Sequence, residues 1–241
     1  MDIYTEQTAV TLGDVDESNR VKPSAFFGYF QHATTLHGDE LGIGAKTIAR
    51  AGQGWVLSRF SVQIEKRPAL SDVLTLSTWP RGFKRLFAIR DYLIKDDEGG
   101  IAVKARSGWL VIDTAKRRPL REESLHTPLP RNDDIPDTIP DGAEALPDRE
   151  EMMPAGTVIS AYSDTDFNGH VNNVRYVEWA QNYVSAAALA AEKLRVDINF
   201  VNEIPAGIEA DIFTYTAEGL SAVEARRKDC GQRIFRAEFH F

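Results

Sequence analysis

Laid over itself at an offset of 150 residues, the chain matches without a gap: Asp14 falls on Asp164, Asp16 on Asp166, Val21 on Val171, Phe26 on Tyr176 and Gln31 on Gln181. A match at one fixed offset marks a duplicated unit, so the 241 residues read as two similar domains in tandem. Each copy opens on a D-x-D turn and passes into helical spacing. Phe26, Phe27, Phe30 and Ala33 predict a helix from Pro23 to about Leu41, and Val177, Ala180, Val184, Ala187, Ala188 and Ala191 predict one from Asn173 to about Lys193. Pro23 suits a first helical turn, and Asn172 or Asn173 suits a cap.

Alternating apolar residues predict strands behind each helix. They run from Trp55 to Ile64, Val73 to Trp79, Phe87 to Ile94 and Ile101 to Ile112 in the first copy. In the second they run from Val196 to Val201, Ala210 to Thr216, Ala222 to Arg227 and Arg233 to Phe241. Residues 119–154 hold seven of the eleven prolines, mixed with acids, and read as an extended linker between an N-terminal domain, 1–118, and a C-terminal domain, 155–241. A long helix followed by an antiparallel meander, twice over, is an α+β arrangement in which each sheet needs its helix to cover one face. That order of elements is the hot-dog fold, and two copies in one chain make a double hot-dog.

Composition removes several classes of function. The longest apolar run, Val184 to Ala191, is far short of the roughly 20 residues that span a bilayer, so no membrane association is expected. The opening residues lack a basic region and an apolar core, which predicts a cytoplasmic protein. Cys230 is the only cysteine, so a disulfide framework and a cysteine metal cage are excluded. The net charge of −8 divides into +2 over residues 1–130 and −10 over 131–241, and no nucleic-acid partner is expected. An anionic partner should dock on the first half, where Arg81, Lys84, Arg85 and Arg90 form one basic stretch and Lys116, Arg117, Arg118 and Arg121 another.

The second copy brings a carboxylate, an amide and an imidazole, Asp166, Asn168 and His170, within five residues at a helix start. Hydrolysis of an ester or thioester needs an activated water and donors aimed at the carbonyl oxygen as it gains charge. Backbone N–H groups of the helix N-terminus are candidate donors, Asn168 and His170 could position water and substrate, and Asp166 could fix the tautomer of His170. Asp and Asn are also ordinary turn and capping residues. The first copy, however, keeps both aspartates and has Ser18 in place of Asn168 and Arg20 in place of His170, so the turn itself demands neither.

The stretch D-T-D-F-N-G-H-V-N-N-V-R-Y, residues 164–176, resembles the D-x-N-x-H-V-N-N motif of the acyl-acyl carrier protein (acyl-ACP) thioesterases, the plant plastid enzymes and their bacterial relatives. The likeness extends to D-V-D-E-S-N-R-V in the first copy, W-V-L-S-R at Trp55, S-T-W-P at Ser77 and R-S-G-W-L-V-I-D at Arg106. It implies a double hot-dog with a single active site, an acyl chain held in the first domain's interior, and no metal or organic cofactor. The implied reaction is hydrolysis of fatty acyl-ACP, which releases free fatty acid and ends chain elongation, with the acidic carrier protein as partner. By the same resemblance the catalytic residues are Asp166, Asn168, His170 and a further carboxylate, Glu203. The cysteine that follows that carboxylate in plant members is Ile204 here, so Glu203 is expected to act on water as general base, oriented by His170 and Asn168.

Other residues carry simpler readings. Glu178 is a rival base, or a solvated helix residue; His32 and His37, at i, i+5, do not share a helix face; Trp55, Trp79 and Trp109 suit strand core. Phe26, Phe27 and Phe30 suit packing beneath the sheet, an interior that could also open into an acyl tunnel. An acyl-CoA thioesterase, a non-catalytic acyl-binding protein and, more remotely, a dehydratase are the competing functions. Two units in one chain already supply the pairing of single-unit relatives, so a monomer or a homodimer is expected.

Overall fold

The computed structural model describes residues 2–241, and the duplication governs its layout. The first copy contains β1 (Tyr4–Ala9), α1 (Pro23–Glu40), α2 (Ala45–Ala49), β2 (Gln53–Ile64), β3 (Val73–Lys84), β4 (Phe87–Lys95) and β5 (Ile101–Asp113). A two-residue strand, β6 (Arg118–Pro119), folds back on β5. The second copy contains β7 (Met153–Ile159), α3 (Asn173–Gln181), α4 (Ala186–Leu189), β8 (Leu194–Phe200), β9 (Glu209–Ala217), β10 (Leu220–Arg227) and β11 (Arg233–His240).

All strands join one antiparallel sheet, in the order β1-β3-β4-β5-β2-β8-β11-β10-β9-β7. The order reads the same from either edge once β7, β9, β10, β11 and β8 are matched in turn with β1, β3, β4, β5 and β2 of the first copy, as the two halves of a double hot-dog require. The halves meet where β2 pairs with β8, Arg59 opposite Asn199 and Ile64 opposite Leu194. The edge strands β1 and β7 were not marked by the alternation: β1, Tyr-Thr-Glu-Gln-Thr-Ala, offers little apolar signal, and β7 is exposed along nearly its whole length.

Helix α1 turns Phe26, Phe27, Phe30 and Ala33 into the sheet. The rings interlock with those of the strands, Phe27 on Phe60 at 5.0 Å, Phe30 on Tyr92 at 4.8 Å and Phe60 on Tyr92 at 5.3 Å between centroids. Each such side chain contributes about 1.5–3 kcal/mol by burial. The interior that the resemblance assigns to the acyl chain is thus lined by aromatic rings. Helix α3 packs on α1, and Gln181 at its end accepts a hydrogen bond from the buried Ser24 amide at 3.2 Å.

Helix α3 is half as long as its spacing predicts. It ends at Gln181, and a new turn, α4, begins under the Ser185 hydroxyl, which accepts from the Ala188 amide. The bend carries Tyr183 over Gly156, whose Cβ, were it present, would lie 2.6 Å from the tyrosine oxygen.

The proline-rich segment expected as an extended linker is instead packed along the sheet. Leu125, Leu129, Ile139 and Ala143 are buried. Asp137 receives Arg81 and Arg106, the Ala143 amide donates to Ser61, and the Leu146 amide to Asn199. Crossing the seam in this way, the segment ties the two halves together.

Candidate active site

Both copies build the D-x-D turn by the same hydrogen bonds. Asp14 and Asp164 each accept a backbone N–H three residues back, from Thr11 and Ala161, at 2.8 Å. The Asp16 amide donates to the Arg20 carbonyl and the Asp166 amide to the His170 carbonyl, both at 2.9 Å. The tight turn needs a residue with positive φ, filled by Asn19 (57°) in one copy and Gly169 (76°) in the other. Val21 then donates to the carbonyl of Pro68, and Val171 to that of Ile204, each at 2.9 Å. This last pair sets a correspondence that the offset of 150 does not reach: Pro68 is the counterpart of Ile204, and Arg67 the counterpart of Glu203.

The side chains on the two frames differ. In the second copy His170 Nδ1 lies 2.7 Å from Glu203 Oε2, with both side chains about two-fifths exposed. Glu203 is fixed from both sides: the Asn202 side chain donates to the Arg233 carbonyl at 2.7 Å, and Ile204 is fully buried. The Ile204 amide donates to the hydroxyl of Tyr176 at 3.3 Å. Burial raises the Tyr176 hydroxyl above its usual value; the Ile204 amide works the other way, and the carboxylates of Glu203 and Asp166 add to the rise. In the first copy Arg67 reaches Asp16 and the Val21, Leu189 and Arg20 carbonyls, and the place of the imidazole is taken by Arg20. Burial raises the Asp16 carboxyl, but Ser18, Arg67 and the Arg20 amide outweigh it and hold the group at about 2. One copy carries an imidazole and a carboxylate; the other carries a structural ion pair.

Asp166, Asn168, His170 and Glu203 are therefore brought to one place, with two changes from the expected contacts. Asp166 does not hold His170. Its carboxylate accepts the Asn168 amide at 2.8 Å and shapes the turn, and the imidazole is held by Glu203. The helix N-terminus is also less available than expected, because Asn172 caps the Val174 amide at 2.9 Å and the Arg175 amide bonds to the Asn172 carbonyl. The exposed side-chain amide of Asn168 meets no protein polar group among the described residues, which leaves it free to donate to a substrate carbonyl. Glu178 is paired with Arg175 at 2.5 Å and faces that cation rather than the imidazole.

The two basic stretches separate. Arg81 is engaged with Asp137 and the Asn132 and Ile135 carbonyls, Lys84 with Glu144, and Arg90 lies buried against His37 and Thr78. Arg81 and Arg90 are thus committed to the fold, contrary to their expected role in docking, while Lys84 and Arg85 stay exposed. Lys116, Arg117, Arg118 and Arg121 are exposed, with a single loose pair among the described residues, at 3.8 Å between Lys116 and Asp113. They lie at the β5–β6 hairpin, and because β5 and β8 are both antiparallel to β2, β5 ends and β8 ends toward the same end of the sheet. Glu203 follows β8 at that end.

The sequence reading missed the hydroxyl of Tyr176 as part of the site. The signal was present in the repeat itself, which sets Tyr176 against Phe26.

Comparison with known proteins agrees with this layout. The family model described as acyl-ACP thioesterase N-terminal domain matches residues 1–124, and that of the acyl-ACP thioesterase C-terminal domain matches residues 155–240. Oleoyl-acyl carrier protein thioesterase 2, chloroplastic, of Arabidopsis thaliana is 30% identical over 153 residues, 59% of this chain and 41% of that protein. Palmitoyl-acyl carrier protein thioesterase, chloroplastic, of Cuphea hookeriana is 27% identical over 146 residues, 58% of this chain and 35% of that protein. The chain thus spans less than half the length of these curated relatives. Among solved structures, an acyl-ACP thioesterase from Bacteroides thetaiotaomicron superposes with a TM-score of 0.84 at 25% identity, covering 100% of this chain and 98% of that one. The 12:0-ACP thioesterase from Umbellularia californica superposes at 0.80 with 19% identity, over 99% and 96% of the two chains, a likeness of fold.

Proposed function

The chain belongs to the acyl-ACP thioesterase family, and from that premise we propose that it hydrolyses the thioester of fatty acyl-ACP to free fatty acid and the carrier's thiol. The observation that carries the reading is the 2.7 Å contact between His170 Nδ1 and Glu203 Oε2 beside an unengaged Asn168 amide. The His170 imidazole donates its Nδ1 proton to one oxygen of Glu203 and so orients the carboxylate. The other oxygen takes a proton from water as the water oxygen attacks the thioester carbonyl carbon. The Asn168 amide donates to the oxygen that becomes negative. Collapse of the tetrahedral intermediate breaks the carbon–sulfur bond, and the proton held on the His170–Glu203 pair passes to the departing thiolate. Asp166 shapes the turn that presents Asn168 and His170.

An acidic carrier protein is the partner this surface fits. Lys116, Arg117, Arg118 and Arg121 offer an exposed positive hairpin at the end of the sheet where Glu203 lies, in a chain whose net charge is otherwise negative. Like charges elsewhere steer the carrier away while the hairpin attracts it.

The test is release of free fatty acid from acyl-ACP thioesters of several chain lengths and from the matched CoA thioesters, with wild type and His170→Ala. Release from the carrier-protein panel that His170→Ala abolishes supports the proposal. Release from CoA substrates alone replaces the carrier, and saturable acyl binding with no release from either replaces the reaction.

A further inference from the structure

The two copies differ at one buried contact for which packing supplies no reason. Phe26 and Tyr176 occupy the same place in the repeat, at 0% and 2% exposure, so the pocket beneath the sheet accepts a plain phenyl ring. A buried hydroxyl is unfavourable unless it is hydrogen-bonded, so its presence in one copy needs a partner there. The partner is the amide of Ile204, 3.3 Å away. In the first copy the residue at that place is Pro68, which has no N–H, and the ring at the other end, Phe26, has no hydroxyl. Donor and acceptor are both absent from the copy with Arg67 and both present in the copy with Glu203.

Resting on the catalytic reading of Glu203 above, we propose that Tyr176 is a positioning residue: its hydroxyl holds the peptide that follows Glu203 and thereby sets the carboxylate against His170. The Asn202 side chain and the buried Ile204 side chain anchor the segment on either side of Glu203, but neither sets the plane of the peptide between Glu203 and Ile204. Strand β8 has ended at Phe200, and from there the Val201 and Asn202 amides share the Ile234 carbonyl. The Ile204 carbonyl receives Val171, while its amide depends on the tyrosine. With that amide unpaired, the peptide after Glu203 is free to turn toward another acceptor, and the carboxylate turns with it. A displacement of about 1 Å at a reacting group lowers a rate by about 100-fold, and loss of a supporting hydrogen bond by about 10- to 100-fold.

The experiment is a double-mutant cycle on fatty acyl-ACP hydrolysis with the full chain. Tyr176→Phe is expected to lower kcat about 10- to 100-fold and to change KM little, since the ring still fills its pocket. In the Glu203→Gln background the same change should have no further effect, because the hydroxyl acts through the carboxylate. An unchanged kcat in Tyr176→Phe, or an equal fall in both backgrounds, overturns the proposal. Full activity of Glu203→Gln alone removes instead the catalytic reading on which it rests. Where Tyr176→Phe also loses stability, Tyr176→Phe with Ile204→Pro installs the pairing of the first copy. Recovery of the fold with kcat still low supports the positioning role, and recovery of both overturns it.

Discussion

His170 Nδ1 sits 2.7 Å from Glu203 Oε2, although 33 positions separate the two residues and the oxygen is presented by a segment that has just left strand β8. The contact offers two divisions of labour, since a carboxylate beside an imidazole can take a proton or merely orient the ring. Glutamine separates them. Its side-chain oxygen still accepts the Nδ1 proton, but it cannot serve as a base. Glu203→Gln is therefore expected to keep the fold and the substrate KM while lowering kcat by about 10²- to 10⁴-fold, the usual contribution of a general base. Retention of more than a tenth of the wild-type kcat would leave His170 as the base and Glu203 as its support.

In the proposed reaction Asn168 supplies the donor to the carbonyl oxygen, because the helix amides of Val174 and Arg175 are already engaged. Removing one such donor typically lowers kcat by about 10²- to 10³-fold. Asn168→Ala should show that loss with little change in KM, and Asn168→Ser, the residue of the first copy, should fare nearly as badly. A fall confined to KM would mean that the amide binds the ground state and nothing more. The turn should survive either change, since Asp166 is held through the backbone amide of residue 168 and not its side chain.

How far the site could be read without coordinates follows from where its parts lie in the repeat. Asp166, Asn168 and His170 fall inside the ungapped match, and their divergence from Asp16, Ser18 and Arg20 distinguishes chemistry from turn geometry. Glu203 falls beyond the point where the copies differ in helix length, so its counterpart Arg67 emerges only from the paired hydrogen bonds of Val21 and Val171. The alanine-rich run after Gln181 has helical spacing throughout, but Ser185 caps a new turn and breaks it, a local competition that periodicity does not register. Charge was the least legible property. Arg81 and Arg117 look alike in sequence, yet one is consumed by Asp137, 56 residues away, and the other stands in solvent.

That difference between the two basic stretches has a consequence in rate. Exposed charges steer association and are screened by salt, with a Debye length of about 10 Å at 0.1 M. Reversing Arg117, Arg118 and Arg121 to Glu should lower kcat/KM on acyl-ACP by at least about 10-fold at low salt, remove most of its salt dependence and leave stability near wild type. Acyl-CoA hydrolysis should fall much less. The paired residue should respond in the opposite way: Arg81→Ala removes one of the two guanidinium partners of Asp137 and a donor to the Asn132 and Ile135 carbonyls, so it should lower the melting temperature before it alters carrier preference. Equal losses on both carriers after the charge reversal would exclude the hairpin as the docking surface.

The ion pair that stands in the first copy at the place of the proposed active site makes a prediction about acid stability. Asp16, held at about 2 against an unfolded value near 4, binds its proton more weakly in the folded chain than in the unfolded one. Its contribution to stability is therefore complete above the unfolded value and disappears as pH falls through the folded one. Arg67 makes that contribution span the two halves, because the guanidinium that meets Asp16 also donates to the Leu189 carbonyl of the second copy at 2.9 Å. Asp16→Asn should lower the urea midpoint at pH 7 and should narrow its gap to wild type as pH drops from 4 to 2. Hydrolysis by the folded chain at pH 7 should be retained, since the pair lies at the opposite end of β2 from Glu203. A gap that stays constant between pH 4 and 2 would show that Asp16 stabilises the turn through geometry alone, with its charge contributing nothing.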